Sequence, residues 1–437
     1  MAFQLDPTFS SDPEKHFDTL QVHAGLAPDP TTGAAALPIY ASAAFQFDDA
    51  ADAAGKFGLT RPGNVYGRLT NTTTDAVAAR VAAIEGGTGA VAVASGHAAE
   101  ILAITNIVGA GDEIVASDSL YGGTWNIFLH TLADLGVKTT FVENNDIDAF
   151  VAASNEHTKL WYVETIGNPL VDVADVPALV EAARSLNLPV FVDNTFATPY
   201  LYRPTEDGAA VVIESLTKWI GGHGATLGGA VVDAGTFDWG KVAGKFPTLT
   251  EPDPSYHGLV FAEAAAAAPF STRVLANKLR DFGPTLSPYA AQLIGIGIET
   301  LSLRVQRHSD NALAVARFLE SHPKVSWVRY AGLENDPSHE LAARLLRHGF
   351  GGVLVFGVKG GREAGLRVVE RVRLFTHLAN VGDAKSLIIH PASTTHSQLS
   401  PEQLREAHLS EDLVRLSVGI ENVEDLIADL DQALARA

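Results

Sequence analysis

Short apolar runs alternate with amphipathic stretches over much of this 437-residue chain. The strand-like runs are residues 90–94, 113–116, 159–163, 190–192, 210–213 and 230–232. Helical spacing of apolar residues separates several of them, at 98–108, 124–135 and 176–185. This alternation predicts an α/β fold with a mainly parallel sheet that is covered by helices on both faces.

The alternation of apolar runs and amphipathic stretches changes on both sides of this region, and the chain therefore divides into three predicted segments. Residues 1–70 are rich in Pro, Thr, Asp and Gly and predict an arm that packs against something else. Residues 71–295 form the main domain, in which the prolines of 234–270 predict a loop rather than a strand or helix. A continuous helical pattern over 287–321 leads into a smaller C-terminal α/β domain, 296–437, which ends in a helix from Val423.

Ligands of such sheets collect beyond the carboxyl ends of the strands, so polar residues that follow apolar runs are the candidates for chemistry. Lys218 follows one run, in Ser-Leu-Thr-Lys-Trp-Ile-Gly-Gly-His-Gly (215–224), and Asp193 follows another. A desolvated amine can condense with an aldehyde cofactor, and a carboxylate can hold the ring nitrogen of that cofactor protonated. The pair therefore suggests pyridoxal phosphate (PLP).

Other strand ends carry groups that complement this idea. The turn Ser95-Gly96-His97 opens a predicted helix and suits a phosphate, and Tyr121 could stack on a planar ring. Glu164 and Asn168 follow a further strand. For each residue alone, a structural role as cap, turn or core residue is the better explanation, but together at consecutive strand ends they favour a common site.

Two further groups lie outside the sheet. Arg415 has the fork geometry that suits an amino-acid carboxylate, although a salt bridge is the commoner role of such an arginine. Tyr66 and Arg68 belong to the arm, from which they could clamp a phosphate across a subunit boundary.

Composition narrows the classes of partner. The formal net charge of −20 argues against a nucleic-acid or anionic-membrane surface. The absence of cysteine removes disulfides and thiolate chemistry, and His390 and His396 lack metal-ligand spacing, so no metal site is expected. No signal peptide or membrane-spanning run is evident, which predicts a cytoplasmic protein.

These motifs together resemble the cysteine/methionine-metabolism family of PLP enzymes, over nearly the whole chain. The residues that carry the resemblance are Tyr66-Gly-Arg68, Ser95-Gly96, Tyr121-Gly122, Val192-Asp-Asn-Thr-Phe196, Ser215-Leu-Thr-Lys218, His390-Pro-Ala-Ser-Thr-Thr-His396 and Arg415-Leu-Ser-Val-Gly-Ile-Glu421. The resemblance implies a type I, aspartate-aminotransferase-like fold with PLP as cofactor. It also implies a homotetramer in which the arm contributes to the neighbouring subunit's site.

The resemblance further implies roles for individual residues. Lys218, Asp193 and Tyr121 would be catalytic, and Lys218 would serve first as covalent anchor and then as base and acid. Residues implied to contact the cofactor are Tyr66, Arg68, Ser95, Gly96, His97, Tyr121, Asn168, Asp193, Thr195, Ser215, Thr217 and Lys218. Those implied to contact the substrate are Tyr66, Asn168, Asn380 and Arg415.

Within the family, three features are most similar to enzymes that exchange the acetyl group of O-acetylhomoserine for sulfide. They are Asn380-Val-Gly-Asp383, the Gly-Gly-His-Gly run after Lys218 and the Pro-rich loop around Tyr256. The implied partners are small molecules: an acylated homoserine and sulfide or a thiol. Cystathionine γ-synthase, O-succinylhomoserine sulfhydrylase and γ-lyase activities remain as alternatives.

Overall fold

A computed structural model describes residues 15–26, 28–394 and 410–437. Its larger sheet has seven strands in the order β1-β7-β6-β5-β4-β2-β3. These strands are β1 Gly89–Val93, β2 Glu113–Ser117, β3 Lys138–Val142, β4 Thr158–Glu164, β5 Val190–Asp193, β6 Val211–Glu214 and β7 Gly229–Asp233. The prediction of a mainly parallel α/β sheet is confirmed.

Strand direction decides where the loops of this sheet meet. Strands β6, β5, β4, β2 and β3 run parallel to one another, while β7 is antiparallel to both β6 and β1. Because β1 reverses direction twice relative to β6, it points the same way as the parallel strands. The carboxyl ends of all strands except β7 therefore lie at one edge of the sheet.

The principal helices connect or cover the two sheets. They are α1 Phe17–His23, α2 Ala50–Phe57, α3 Thr72–Glu85, α4 Gly96–Ile107, α5 Ile147–Ala153, α6 Val176–Ser185, α7 Pro288–Ile298, α8 Leu301–Ser321, α9 His339–Leu345, α10 Gly361–Arg371 and α11 Val423–Leu434. Two other helical segments each contain a π-helical turn, at Ile127–Thr131 and Val274–Leu279. Among the described residues, no helix has both the length and the apolarity to cross a membrane.

Alternation along the strands divides the core into two layers. Val163, Val192 and Val212 face one layer, which also receives apolar side chains of α3 and α7. The neighbouring residues Tyr162 and Phe191 face the other layer, against α4. This separation follows from the two-residue period of a strand and explains the near-continuous apolar runs in the sequence.

The second sheet has five strands in the order β10-β11-β12-β9-β8. These are β8 Val325–Arg329, β9 Val353–Val358, β10 Thr376–His377, β11 Leu387–Ile389 and β12 Leu413–Ser417. Helices α8, α10 and α11 supply apolar side chains to a separate core on this sheet. The smaller C-terminal α/β unit has the architecture that the sequence pattern predicts.

Two expectations about local structure were wrong. The helical pattern over 287–321 is not continuous, because α7 ends at Ile298 and α8 begins at Leu301. The Arg304 guanidinium donates to the carbonyl oxygen of Gly297 at 2.6 Å. This side chain therefore provides a hydrogen-bond donor to a carbonyl group at the end of α7.

The segment 234–270 is also more helical than its prolines predict. It contains the short helical turns Trp239–Lys245, Pro247–Thr250, Pro254–Tyr256 and Phe261–Ala264. Several of these turns place proline in the first helical positions, where a missing N–H costs nothing. Buried Trp239 and Phe246 anchor the segment to the core.

Gly229 at the start of β7 allows a test of how closely β7 packs against the turn before α4. A Cβ atom at Gly229 would lie 2.0 Å from the carbonyl oxygen of Ser95. We expect Gly229→Ala to lower the free energy of unfolding by about 1–3 kcal/mol, because the backbone must shift to relieve the overlap. Gly244→Ala is the matched control, since a Cβ there meets no atom within 4 Å. Equal urea midpoints for the two variants would contradict the expectation.

Candidate active site

Lys218 lies in the loop after β6, and its side chain reaches toward the second sheet. The Nζ atom donates to Asn380 Oδ1 at 2.6 Å, so the amine is held in one orientation. Burial, together with the nearby positive charge of Arg415, lowers the pKa of Lys218 to about 8. A substantial fraction of the amine is therefore neutral near physiological pH.

Asp193 ends β5, the strand next to β6, and lies beside Glu164 at the end of β4. Burial raises the pKa of Asp193, while hydrogen bonds from Thr195 oppose the rise. The Thr195 backbone N–H donates to Asp193 Oδ1 at 2.9 Å, and the Thr195 hydroxyl accepts from the Ser215 backbone N–H at 2.8 Å. Thr195 thus ties the Asp193 strand end to the loop of Lys218.

The turn before α4 lies against the same loop. The Ser95 hydroxyl accepts from the Ala98 N–H at 3.1 Å and caps the helix. The backbone N–H groups of Gly96 and His97 precede the first intrahelical bonds, so they point out of the helix as anion donors. A Cβ atom at Gly96 would lie 2.8 Å from that of Ser215, so only glycine permits this approach.

Thr217 precedes the lysine and holds the loop shape. Its hydroxyl donates to the carbonyl oxygen of Gly228 at 3.1 Å and accepts from the Gly228 N–H at 3.0 Å. The Thr217 side chain therefore joins the start of the Lys218 loop to Gly228, the residue before β7.

Tyr121 follows β2 and is 45% exposed. Its backbone N–H donates to Glu164 Oε1 at 2.6 Å, and its ring centroid lies 5.5 Å from that of His97. The phenol ring is thus accessible at the edge where Asp193 and the α4 turn meet. Only the backbone amide of His97 was predicted to have a role, but the His97 ring also lies against that of Tyr121.

Arg415 of β12 brings the second sheet to this edge. The guanidinium donates to Asn168 Oδ1 at 3.0 Å, and the Arg415 side chain is buried. Burial lowers the pKa of Arg415 to about 10, which leaves it cationic at neutral pH. Arg415 and Asn168 together form a cationic, hydrogen-bonding group next to Lys218.

The arm residues are placed differently. The Arg68 guanidinium lies 5.1 Å from the ring centre of Tyr66, and the Arg68 carbonyl oxygen accepts from the Thr285 hydroxyl. Thr285 pairs with Val93 at the end of β1. Tyr66 is 43% exposed, and no hydrogen bond described within the chain joins it or Arg68 to Lys218 or Asp193.

Arg304 is a residue of the site region that the sequence patterns did not reveal. Besides Gly297, its guanidinium donates to the carbonyl oxygens of Trp219 at 2.6 Å and Ile220 at 3.3 Å. These are the two residues that follow Lys218. The position of Arg304 within an amphipathic helix carried no signal, because its partners come from a distant loop.

The donor set fits PLP. A partly neutral amine, a half-buried carboxylate one strand away and two outward-facing amides at a helix start match the aldehyde, ring nitrogen and phosphate. The missing Cβ of Gly96 lets the backbone approach an anion closely. Among the described residues, no group of three or more His, Asp or Glu side chains could hold a metal ion.

Comparison with known proteins identifies the family of this chain. The family described as Cys/Met metabolism PLP-dependent enzyme matches residues 18–435, and the chain belongs to that family. It is therefore a PLP-dependent enzyme, as the strand-end residues and their resemblance predicted.

Individual relatives extend the likeness over almost the full length. The chain is 48% identical to an O-acetyl-L-homoserine sulfhydrylase of Leptospira meyeri, covering 95% of this chain and 96% of that protein. It is also 48% identical to O-acetyl-L-homoserine sulfhydrylase 1 of Thermus thermophilus, covering 96% of this chain and 100% of that protein.

A solved structure gives the same result for the fold. A putative O-acetylhomoserine (thiol)-lyase of Campylobacter jejuni superposes with a TM-score of 0.92 at 39% identity, covering 96% of this chain and 100% of that chain. That crystal structure contains N'-pyridoxyl-lysine-5'-monophosphate. The predicted fold class is confirmed.

The low pKa of Lys218 predicts its reactivity. Reductive methylation of the apoprotein with formaldehyde requires a neutral amine, so labelling of Lys218 should reach half its maximum near pH 8 and level off above about pH 9. A lysine in a short peptide, with a pKa of about 10.4, should keep gaining reactivity beyond pH 9. Peptide mass spectrometry across pH 6–10 measures both, and parallel profiles would contradict the assignment.

Proposed function

We propose that this enzyme replaces the acetyl group of O-acetyl-L-homoserine with sulfide, giving L-homocysteine and acetate for methionine biosynthesis. The observation that carries the proposal is the partly neutral Lys218 amine, held by Asn380 one strand from half-buried Asp193. The near-full-length likeness to O-acetyl-L-homoserine sulfhydrylases supports this choice of reaction within the family.

When bound, PLP supplies a protonated ring that withdraws electrons from the Cα atom of an attached amino acid. Asp193 would favour protonation of the ring nitrogen, because a carboxylate next to that nitrogen stabilises the positive charge of the ring. The phosphate would accept from the backbone amides of Gly96 and His97 and from the Ser95, Ser215 and Thr217 region. Tyr121 would cover the ring face, with Thr195 fixing the orientation of Asp193.

Lys218 has two tasks in this proposal. It anchors the cofactor, and after the substrate amine displaces it, its neutral amine removes the Cα proton and later returns a proton. A Cβ proton would then be lost and acetate would leave from Cγ with the electrons of the C–O bond. Hydrosulfide would form a C–S bond at the same carbon, and protons would return to Cβ and Cα to give homocysteine. Asn380 keeps the Lys218 Nζ atom in place through its side-chain carbonyl.

Arg415 and Asn168 would bind the substrate carboxylate. Arg415 remains charged, and one of its N–H groups is already fixed by Asn168 at 3.0 Å. A fixed guanidinium loses little entropy on binding a carboxylate through its free edge. This contact would hold Cα within reach of Lys218, and Tyr66 of a neighbouring subunit would complete the substrate pocket.

The proposal includes an assembly of at least two subunits, and a homotetramer as the family resemblance implies. The groove lined by Thr217, Gly221, Leu293 and Ile296 lies directly beside the Lys218 loop. Leu293 and Ile296 are about half exposed in the single chain, as is the arm residue Tyr66. A neighbouring subunit that covers this face could bring its Tyr66 and Arg68 to the phosphate. The reaction would take place in the cytoplasm with other amino-acid biosynthesis.

Product analysis tests the reaction. With O-acetylhomoserine and sulfide, the enzyme should form homocysteine and acetate in equal amounts, without appreciable 2-oxobutyrate and ammonia. Parallel assays with O-succinylhomoserine and with cysteine as the thiol separate the sulfhydrylase from its two nearest alternatives. Dominant 2-oxobutyrate in the presence of sulfide would identify a γ-lyase instead.

Replacement of the lysine tests its role. Lys218→Ala should lower kcat by at least about 10³-fold, because both the anchor and the base are lost. Lys138→Ala is the control, since that side chain is exposed and pairs with Glu113 at the far end of the sheet. Homocysteine formation at an unchanged rate in the Lys218 variant would disprove the mechanism.

Replacement of Arg415 separates binding from chemistry. Arg415→Lys should raise KM for O-acetylhomoserine roughly tenfold or more with a smaller change in kcat, because lysine cannot bridge Asn168 and a carboxylate in the same plane. Arg317→Lys on the exposed face of α8 serves as the control. A variant with wild-type KM would remove Arg415 from the substrate site.

A further inference from the structure

A cluster of acidic side chains lies behind Asp193 and is not used by the proposed reaction. Tyr162 and Glu164 are two residues apart on β4, so both point to the same face of the sheet as Asp193 on neighbouring β5. Glu100 reaches this face from α4, the helix whose first amides form the phosphate turn. We call Glu100, Tyr162, Glu164 and Asp193 the acidic cluster.

Glu100 is a poorly compensated carboxyl group of the acidic cluster. Its side chain is 2% exposed, and its Oε1 atom has no hydrogen-bond partner. The titratable groups that face it are Asp193 from β5 and Tyr162 and Glu164 from β4, all of them acidic, while the helical segment after β2 contributes the Thr124 hydroxyl.

Two buried carboxylates in one cluster repel each other strongly, so a proton is retained by the group with fewer stabilising partners. Asp193 receives hydrogen bonds from Thr195, whereas one oxygen of Glu100 receives none. Burial, together with the proximity of Asp193, raises the pKa of Glu100 to about 8. Burial likewise raises the pKa of Glu164, with Asp193 as the next cause.

We propose that Glu100 is a positioning residue for Asp193. Glu100 stays a neutral carboxylic acid at neutral pH, so the negative charge of the acidic cluster resides on Asp193, the carboxylate that faces the cofactor ring. The proposal rests on PLP binding but not on the identity of the substrate. Glu100 would act from behind Asp193, the residue that is proposed to contact the ring nitrogen.

The proposal predicts a pH-dependent effect on the bound cofactor. Ionisation of Glu100 near pH 8 would add a second negative charge close to the ring, and this charge would favour the protonated cofactor. Glu100→Gln keeps the size of the side chain but removes the ionisation. The pH midpoint of the cofactor's absorbance change should therefore be lower in this variant than in the wild type, by roughly half a pH unit or more.

Thermal unfolding of the apoprotein provides an independent readout. Because the folded-state pKa of Glu100 is raised, the folded protein holds a proton that the unfolded chain releases above about pH 4.5. This group therefore destabilises the wild type increasingly as pH rises from about 4.5 to 8. The Tm difference between Glu100→Gln and wild type should grow in favour of the variant over this interval and then level off.

The experiment titrates the absorbance of the holoenzyme without substrate, so it is independent of the sulfhydrylase assay. Tyr162→Phe is the second variant: its hydroxyl lowers the pKa of Glu100, so its loss should shift the midpoint in the same direction as Glu100→Gln but less. Glu113→Gln, at the other end of β2, is the control and should match the wild type.

Three results would overturn the proposal. One is an identical absorbance midpoint in Glu100→Gln and wild type, which would mean that Glu100 does not act on the cofactor. Another is a Tm difference that does not vary with pH, which would mean that Glu100 does not titrate in this interval. The third is a PLP dissociation constant at pH 7 that rises more than about tenfold in the Gln variant, which would show that a charged Glu100 is required.

Discussion

The convergence of strand ends at one edge of the sheet is the constraint on which the rest of the structure depends. Because β7 runs against both of its neighbours, β1 points in the same direction as β6, β5, β4 and β2. The turn at Gly96 therefore lies against Ser215 rather than at the opposite edge. Had β7 run against only one of its neighbours, β1 would point the opposite way, and the phosphate turn and the lysine loop would be separated by the full length of the strands.

The chemistry of the site follows from burial and from like-charged neighbours, which together shift the pKa values of its ionisable groups. The Lys218 amine is desolvated near cationic Arg415, which favours its neutral form, while Asp193 is flanked by acids whose pKa values are raised by burial. Desolvation thus lowers the proton affinity of the base and raises that of the surrounding acids. Both effects come from tertiary packing, since neither is encoded by neighbouring residues in the sequence.

Periodicity predicted the main elements well because the sheet is buried on both faces. Apolar runs marked β1, β2, β4, β5, β6 and β7, and the polar residues after them included Lys218, Asp193 and Tyr121. The strand β3 was not predicted, since its sequence Lys-Thr-Thr-Phe-Val is only partly apolar and lies at the edge of the sheet. The break between α7 and α8 was missed because it is stabilised by Arg304, whose partners lie outside the helix.

The sequence by itself determined the α/β class, the order of the elements and the residue types that suit PLP, because these depend on local periodicity and on side-chain chemistry. Only the tertiary structure decided that Asn380 of the second sheet region holds the Lys218 amine and that Arg415 is fixed by Asn168. It also decided that Glu100 faces Asp193. Contacts between residues far apart in the chain depend on strand order and helix packing, which no local pattern specifies.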